Sequence, residues 1–252
     1  MHEVEYLNHF LLEKDYWWFK GQRAIVNDLI KKYKIKKKNF ILDAGCGAGF
    51  NALYLRKHGK VYGIDNSKIA LKFCKKRGLK NIILSDIAKT KFKNNSFDII
   101  TCLGVFYHKN ANPKKILKEF ERILKKNGIL IITTSALDFL RNKYFKSYQD
   151  ISMKTARRYS LNKFKNLFKQ NNYKILKVSY FTFFLFLPIL LLRVSKNIIN
   201  LFLKNRDLKS DIFKINSFLN YILIKLMKLE SCVINYASLP IGMHLVIVLK
   251  KK

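Results

Sequence analysis

The chain has 252 residues, 49% of them hydrophobic and 14% aromatic, which allows one sizeable core and excludes a disordered protein. Its formal charge is +34, with 41 lysines against 9 arginines and abundant Asn, Ile, Phe and Tyr, the composition an AT-rich genome produces. Charge alone therefore names no ligand, and it excludes neither nucleic acid nor an anionic membrane surface.

The first residues, MHEVEYLNHF, have neither the basic start nor the apolar run of a secretory signal, so a cytoplasmic location is expected. Residues 3–34 are patterned as helix, with an aromatic patch at Tyr16, Trp17, Trp18 and Phe19 before Gly21. Residues 1–38 are read as an N-terminal helical lid or cap, ending in the lysine-rich stretch 36–38. Apolar runs at 40–44, 61–64, 81–84, 97–103 and 129–134 then read as buried parallel strands, with amphipathic segments between them. Ser67 is placed to cap the helix after the second strand. Pro113 suits the first turn of the helix before the fifth, which Asn127-Gly128 is expected to end. The alternation predicts a doubly wound, Rossmann-like α/β sheet.

Beyond the fifth strand the pattern gives a polar stretch to Tyr159, a helix capped by Ser160, a strand at 173–181 and a last strand at 244–250. Residues 182–242 hold too little Pro and Gly for a flexible linker and are read as a packed helical insertion. Its apolar run, 180–192, would be about 20 Å long as a helix against roughly 30 Å of bilayer hydrocarbon, too short to span. Pro188 is expected to interrupt that run, and Arg193 and Lys196 close it. Core burial and shallow contact with an anionic membrane surface are both compatible with it. Cys46, Cys74, Cys102 and Cys232 lie far apart in sequence, with no C-x-x-C pair and no His at ligand spacing, so neither a disulfide framework nor a metal site is expected.

The densest chemical signal is ILDAGCGAGF, residues 41–50, a strand ending in Asp43 and followed by Gly45, Gly47 and Gly49. Glycines at such a turn let the backbone approach a small ligand closely. A dinucleotide-binding G-x-G-x-x-G would put its third glycine on Phe50; the fit is instead to D-x-G-x-G-x-G. In VYGIDNS, Asp65 ends the second strand and can accept hydrogen bonds from ribose hydroxyls. Asp86 ends the third. Taken singly, each Asp fits a turn or cap, Asp86 most of all.

Together, Asp43 through Gly49, Asp65, Asp86 and the strand FDIITCLG resemble the class I S-adenosylmethionine-dependent methyltransferase family over residues 40–135. The resemblance implies a seven-stranded sheet with the last strand antiparallel, a core of residues 39–181 completed by 243–252, and S-adenosylmethionine across the carboxyl ends of strands one to four. On that basis Gly45, Cys46, Gly47 and Gly49 line the methionine part and Asp43 orients its amino group. Asp65 with Asn66 holds the ribose, Asp86 with Ile87 borders the adenine, and Cys102 to Val105 floor the sulfonium. Many relatives have an acidic residue where this chain has Gly104.

On the acceptor side, His108 in GVFYHKN has an unperturbed pKa suited to acid–base work, beside Tyr107. Trp18 belongs to an aromatic cluster that fits core packing as well as a lid meeting an acceptor, and Arg157 and Arg158 fit either a solvated surface pair or forks for phosphate or carboxylate. YWWFKGQR, RRY, the Pro-containing apolar segment and LPIGMHLVIVLKK also resemble methyltransferases of surface-glycan or lipid-linked sugar assembly. The expected activity is methyl transfer to an oxygen or nitrogen of a small-molecule, glycan or lipid-linked acceptor beside the cytoplasmic membrane face. An RNA methyltransferase is the first alternative, disfavoured because the lysines are spread along the chain and no RNA-binding motif is evident. A catalytically silent cofactor-binding or membrane scaffold is the second.

Overall fold

Uninterrupted runs of Ile, Leu and Val need cover on both faces, and the chain provides it with helices on either side of one sheet. The computed structural model describes residues 3–33, 39–141, 150, 153, 155–202 and 215–252. The expected stretches at 36–38, at 142–149 and in the middle of the insertion at 203–214 lie outside the described residues.

The strands are β1 (Asn39–Ala44), β2 (Gly59–Asp65), β3 (Ile82–Leu84), β4 (Phe97–Leu103), β5 (Leu124–Ser135), β6 (Tyr173–Phe181) and β7 (His244–Lys251). They form one sheet in the order β3-β2-β1-β4-β5-β7-β6. The first five are parallel, and β7 runs antiparallel to both β5 and β6. Alternate residues separate two cores. Leu42, Ile100, Leu130, Ile132 and Ile247 pack with Ile116 and Phe120 of α5 (Pro113–Ile123) and Phe164 of α6 (Leu161–Asn166). Ile41, Ile99, Ile131, Val246 and Val248 pack on the other side with Ile25, Val26 and Leu29 of α2 (Trp17–Tyr33).

Ser67 caps α4 (Lys68–Lys76) by accepting from Ala70 N–H at 3.3 Å, and Pro113 opens α5. That helix ends at Ile123, earlier than Asn127-Gly128, because Leu124 already pairs with Phe97; Asn127 takes φ 62° inside the strand. The N-terminal segment is two helices, not one. α1 (Glu3–Leu12) crosses α4, with Phe10 stacked on Phe73 at 4.7 Å between ring centres, while α2 lies on the sheet.

The insertion contributes α7 (Phe186–Phe202) and α8 (Ser217–Tyr236). Pro188 starts α7 instead of interrupting the segment, because a first-turn residue has no intrahelical N–H bond to lose. α8 is held against α2, where Ser231 Oγ donates to Asp28 Oδ2 at 2.7 Å. The buried Glu230 carboxylate accepts from the N–H groups of Thr182, Phe183 and Phe184 as the chain leaves β6. Outward on α7 stand Leu187, Leu191 and Leu192, each about 60% exposed. No helix among the described residues is long and apolar enough to cross a membrane.

Gly21 is where α2 and α8 touch most closely: a Cβ there would lie 2.6 Å from Met227 Cβ. Gly21→Ala is expected to incur about 1–3 kcal/mol of overpacking, of which better helix propensity returns up to about 1. Met227→Ala keeps the Cβ but removes the Cγ and Cε that would lie 2.7 and 2.8 Å from the new Cβ, so a double-mutant cycle followed by denaturant unfolding should show coupling of about 0.5 kcal/mol or more; strictly additive effects would contradict the contact.

Candidate active site

The site begins at a turn that only glycines can make. Gly45, Gly47 and Gly49 have φ of 77°, 53° and 89°. A Cβ on Gly45 would fall 2.5 Å from Val105 Cγ2, and one on Gly49 2.6 Å from Leu79 Cδ1. At Gly47 a Cβ would meet nothing within 4 Å, so this is the open side of the loop. The Gly47 N–H donates to Asp65 Oδ2 at 3.0 Å, and Asp65 Oδ1 accepts from the Ser67 N–H at 2.9 Å. Burial raises the Asp65 carboxyl's pKa, and these N–H groups oppose the rise.

Asp43 is 2% exposed, and its Oδ1 accepts from Thr101 Oγ1 and Asn51 Nδ2, both at 2.8 Å. Its Oδ2 is enclosed without a hydrogen-bond partner among the described residues. Burial pushes this carboxyl up to about 6 against the pull of those two donors. An enclosed acceptor lacking a donor, beside a loop whose open side has room, fits the ammonium end of S-adenosylmethionine.

Over this loop lies α1. Tyr6 is hydrogen-bonded by Ser67 and lies near Asp65. Glu13, just past the helix end, accepts from the Phe50 N–H and from Arg77 Nη2, both at 3.3 Å. His9 meets Phe19 edge-on at 4.9 Å, and its Nε2 is enclosed without a partner among the described residues. Burial, then the charge of His108, holds His9 down at about 4. Arg23 stands over the Phe50 ring at 4.6 Å, and burial lowers it to about 10. The sequence reading missed Glu13, His9, Arg77 and Arg23; the available signal was the single helix face shared by positions 6, 9, 10 and 13.

At the end of β4, the Gly104 N–H donates to Thr133 O at 3.1 Å, and Gln22 Nε2 reaches Thr133 Oγ1 at 3.1 Å. His108 Nδ1 is 2.6 Å from Met153 O, and its ring lies 4.5 Å from that of Tyr107. Burial holds the imidazole down at about 4 and raises the Tyr107 phenol. Trp18 is half-buried, 5.3 Å from the His244 ring. Arg157 Nη1 donates to His108 O at 2.6 Å. Arg158 is buried, pairing with Asp150 at 2.6 Å and donating to Ala136 O at 3.1 Å, so its fork is engaged internally. Cys102 is fully buried in the core, and Cys46 faces Cys74 with the sulfurs 4.0 Å apart. Asn66 is exposed; so is Asp86, whose Oδ1 caps its own turn by accepting from the Ala88 N–H at 2.8 Å, and Ile87 packs on the core.

A sheet of this order with an antiparallel seventh strand, and a glycine turn after β1 flanked by Asp43 and Asp65, is the arrangement that the resemblance to the class I S-adenosylmethionine-dependent methyltransferases implies. Residues 42–132 match the family described as methyltransferase domain. An uncharacterized protein of Methanocaldococcus jannaschii is 39% identical over 113 residues, 44% of this chain and 48% of the relative. The ubiquinone biosynthesis O-methyltransferase of Pelagibacter ubique is 34% identical over 137 residues, 50% of this chain and 54% of the relative. The tRNA U34 carboxymethyltransferase of a Sulfurovum species is 31% identical over 126 residues, 46% and 41% respectively. The chain thus spans about half the length of the curated relatives it matches. The crystal structure of YcgJ from Bacillus subtilis has a TM-score of 0.57 over 92% of this chain and 98% of that one, at 20% identity, a likeness of fold.

Asp65→Ala removes a charged acceptor, and binding of S-adenosylhomocysteine measured by calorimetry should weaken by about 1.5–3 kcal/mol. Unchanged affinity would refute a ribose-holding role.

Proposed function

We propose that the protein transfers a methyl group from S-adenosylmethionine to an oxygen or nitrogen of a small-molecule, glycan or lipid-linked acceptor. The observation that carries this reading is the tautomer of His108. The Met153 carbonyl can only accept, so Nδ1 bears the hydrogen and Nε2 keeps a lone pair for an acceptor's proton. An imidazole held near 4 is neutral at physiological pH, so Nε2 is unprotonated and can accept a hydrogen bond from the acceptor's hydroxyl or amine.

The bound cofactor supplies a methyl group on a sulfonium whose leaving group is a neutral thioether. What is asked of the chain is therefore positioning and exclusion of water. Asp43 orients the amino group, and the backbone of Gly45, Cys46, Gly47 and Gly49 lines the methionine part. Asp65 and Asn66 hold the ribose, Asp86 and Ile87 border the adenine, and the backbone from Cys102 onward floors the reacting centre. Trp18 and Tyr107 flank the acceptor with His108, while Arg157 acts through the His108 carbonyl. Residues 1–38 serve as the lid, 39–181 with 243–252 as the cofactor core, and 182–242 as the insertion.

The outward apolar side of that insertion, Phe184, Leu187, Leu191 and Leu192, supports a resting place on an anionic membrane surface at the cytoplasmic face. A second reading, RNA as acceptor, is favoured by the similarity to a tRNA-modifying enzyme and by the +34 charge.

Calorimetry should give binding of S-adenosylmethionine and S-adenosylhomocysteine and none of NAD; binding of neither would leave a silent scaffold. Methyl incorporation into membrane lipid extract, and not into tRNA, is the expected acceptor result; the reverse would establish the RNA reading. His108→Ala should lower that incorporation by about 10²–10⁴-fold with cofactor affinity retained, and an unchanged rate would remove His108 from the chemistry.

A further inference from the structure

The end of α1 is fixed to the glycine loop through Glu13. Its Oε2 takes the Phe50 N–H and Arg77 Nη2, each at 3.3 Å, and Arg77 Nη2 also donates to Phe10 O at 2.7 Å. Among the described residues Glu13 Oε1 has only the His9 imidazole, 3.8 Å away and beyond hydrogen-bond reach. Asn51, the residue after Phe50, holds Asp43 Oδ1 and leaves Oδ2 without a donor among the described residues. Two buried carboxylates, Glu13 8% exposed and Asp43 2%, thus flank residues 50 and 51: Asp43 Oδ2 is enclosed with no donor among the described residues, and Glu13 Oε1 keeps contact with solvent. A buried acceptor without a donor is costly, and an ammonium group carries three N–H donors and the opposite charge.

We propose that Glu13 is a second carboxylate, alongside Asp43, for the ammonium group of S-adenosylmethionine, so that α1 docking and cofactor binding are one event that releases protons. The inference rests on the cofactor assignment. The groups facing Glu13 are Arg77 from α4, Arg23 from α2, Asp43 from β1 and His9 on α1. Burial pushes Glu13 up to about 7 and Asp43 up to about 6, even with Arg77 beside the former. Glu13 is therefore about half protonated at pH 7, and Asp43 becomes so near pH 6. An arriving cation favours their ionised forms, so binding expels protons and affinity rises as pH passes through about 6 to 7.

The experiment is calorimetry of S-adenosylhomocysteine on the full chain, in buffers of different ionisation enthalpy, from about pH 5.5 to 8. Net proton release near the middle of that range is expected. Glu13→Gln should reduce the release and weaken binding about tenfold or more at the alkaline end, with little change at the acid end, where Glu13 is already neutral. 5′-Methylthioadenosine, which lacks the amino-acid end, should show neither effect, and its retained affinity would show the variant's cleft to be intact. Wild-type binding of S-adenosylhomocysteine without proton release overturns the proposal and leaves the cofactor assignment standing. Equal loss of both nucleosides in the variant assigns Glu13 to holding α1 and also overturns it. Failure of either nucleoside to bind the wild type removes the cofactor assignment and the proposal with it.

Discussion

The hydrogen bond from the Gly47 N–H to the Asp65 carboxylate ties the end of β1 to the end of β2, and the cleft is assembled around it. It forms only because Gly47 takes a left-handed conformation that a side chain would strain. The same carboxylate accepts from Ser67 N–H, which sets the start of α4. From α4 come Cys74, whose thiol donates to the Gly47 carbonyl, and the Arg77 that follows it, which grips the Ala48 carbonyl, Phe10 and Glu13. The position of α1 over the loop is thus a consequence, three contacts removed, of one glycine's backbone.

The parallel strands could be read from the sequence because burial on both faces demands runs such as ILIITT with no polar alternation. The glycine loop could be read because positive φ restricts residue choice, and with it came the acidic ends of β1 and β2. Glu13 and His9 could not. A charge near the end of an amphipathic helix has the pattern of a solvated residue, and only Arg77, 64 positions later, makes Glu13 a buried one. The break between α1 and α2 was equally hidden, since Glu13 to Tyr16 contain no Gly or Pro to mark it. Pro188 was misjudged for a related reason: whether a proline starts a helix or stops one depends on where the first turn falls.

Asp86 illustrates how a match of position says less than a match of environment. It stands at the expected strand end, yet its carboxylate accepts from the Ala88 N–H in its own turn and faces solvent. Asp43 has the opposite circumstances: enclosed, with one oxygen satisfied by Thr101 and Asn51 and the other by nothing among the described residues. Two aspartates at equivalent strand ends differ in what they can offer a ligand because only one has been removed from water.

The insertion is joined to the segment after β5 by charge. Asp150, in the segment after β5, pairs with Arg158 at 2.6 Å and with Arg193 of α7 at 3.4 Å. His244 at the start of β7 is held down at about 3 by burial and by those two arginines. Removing one member of so enclosed a cluster would strand the others, which makes it a device for fixing geometry more than a source of stability. Arg193 thus turns the polar side of α7 inward, where it ties the helix to Asp150 in the segment after β5. Leu187, Leu191 and Leu192 are left facing out, an inversion of the usual helix polarity that water alone does not favour.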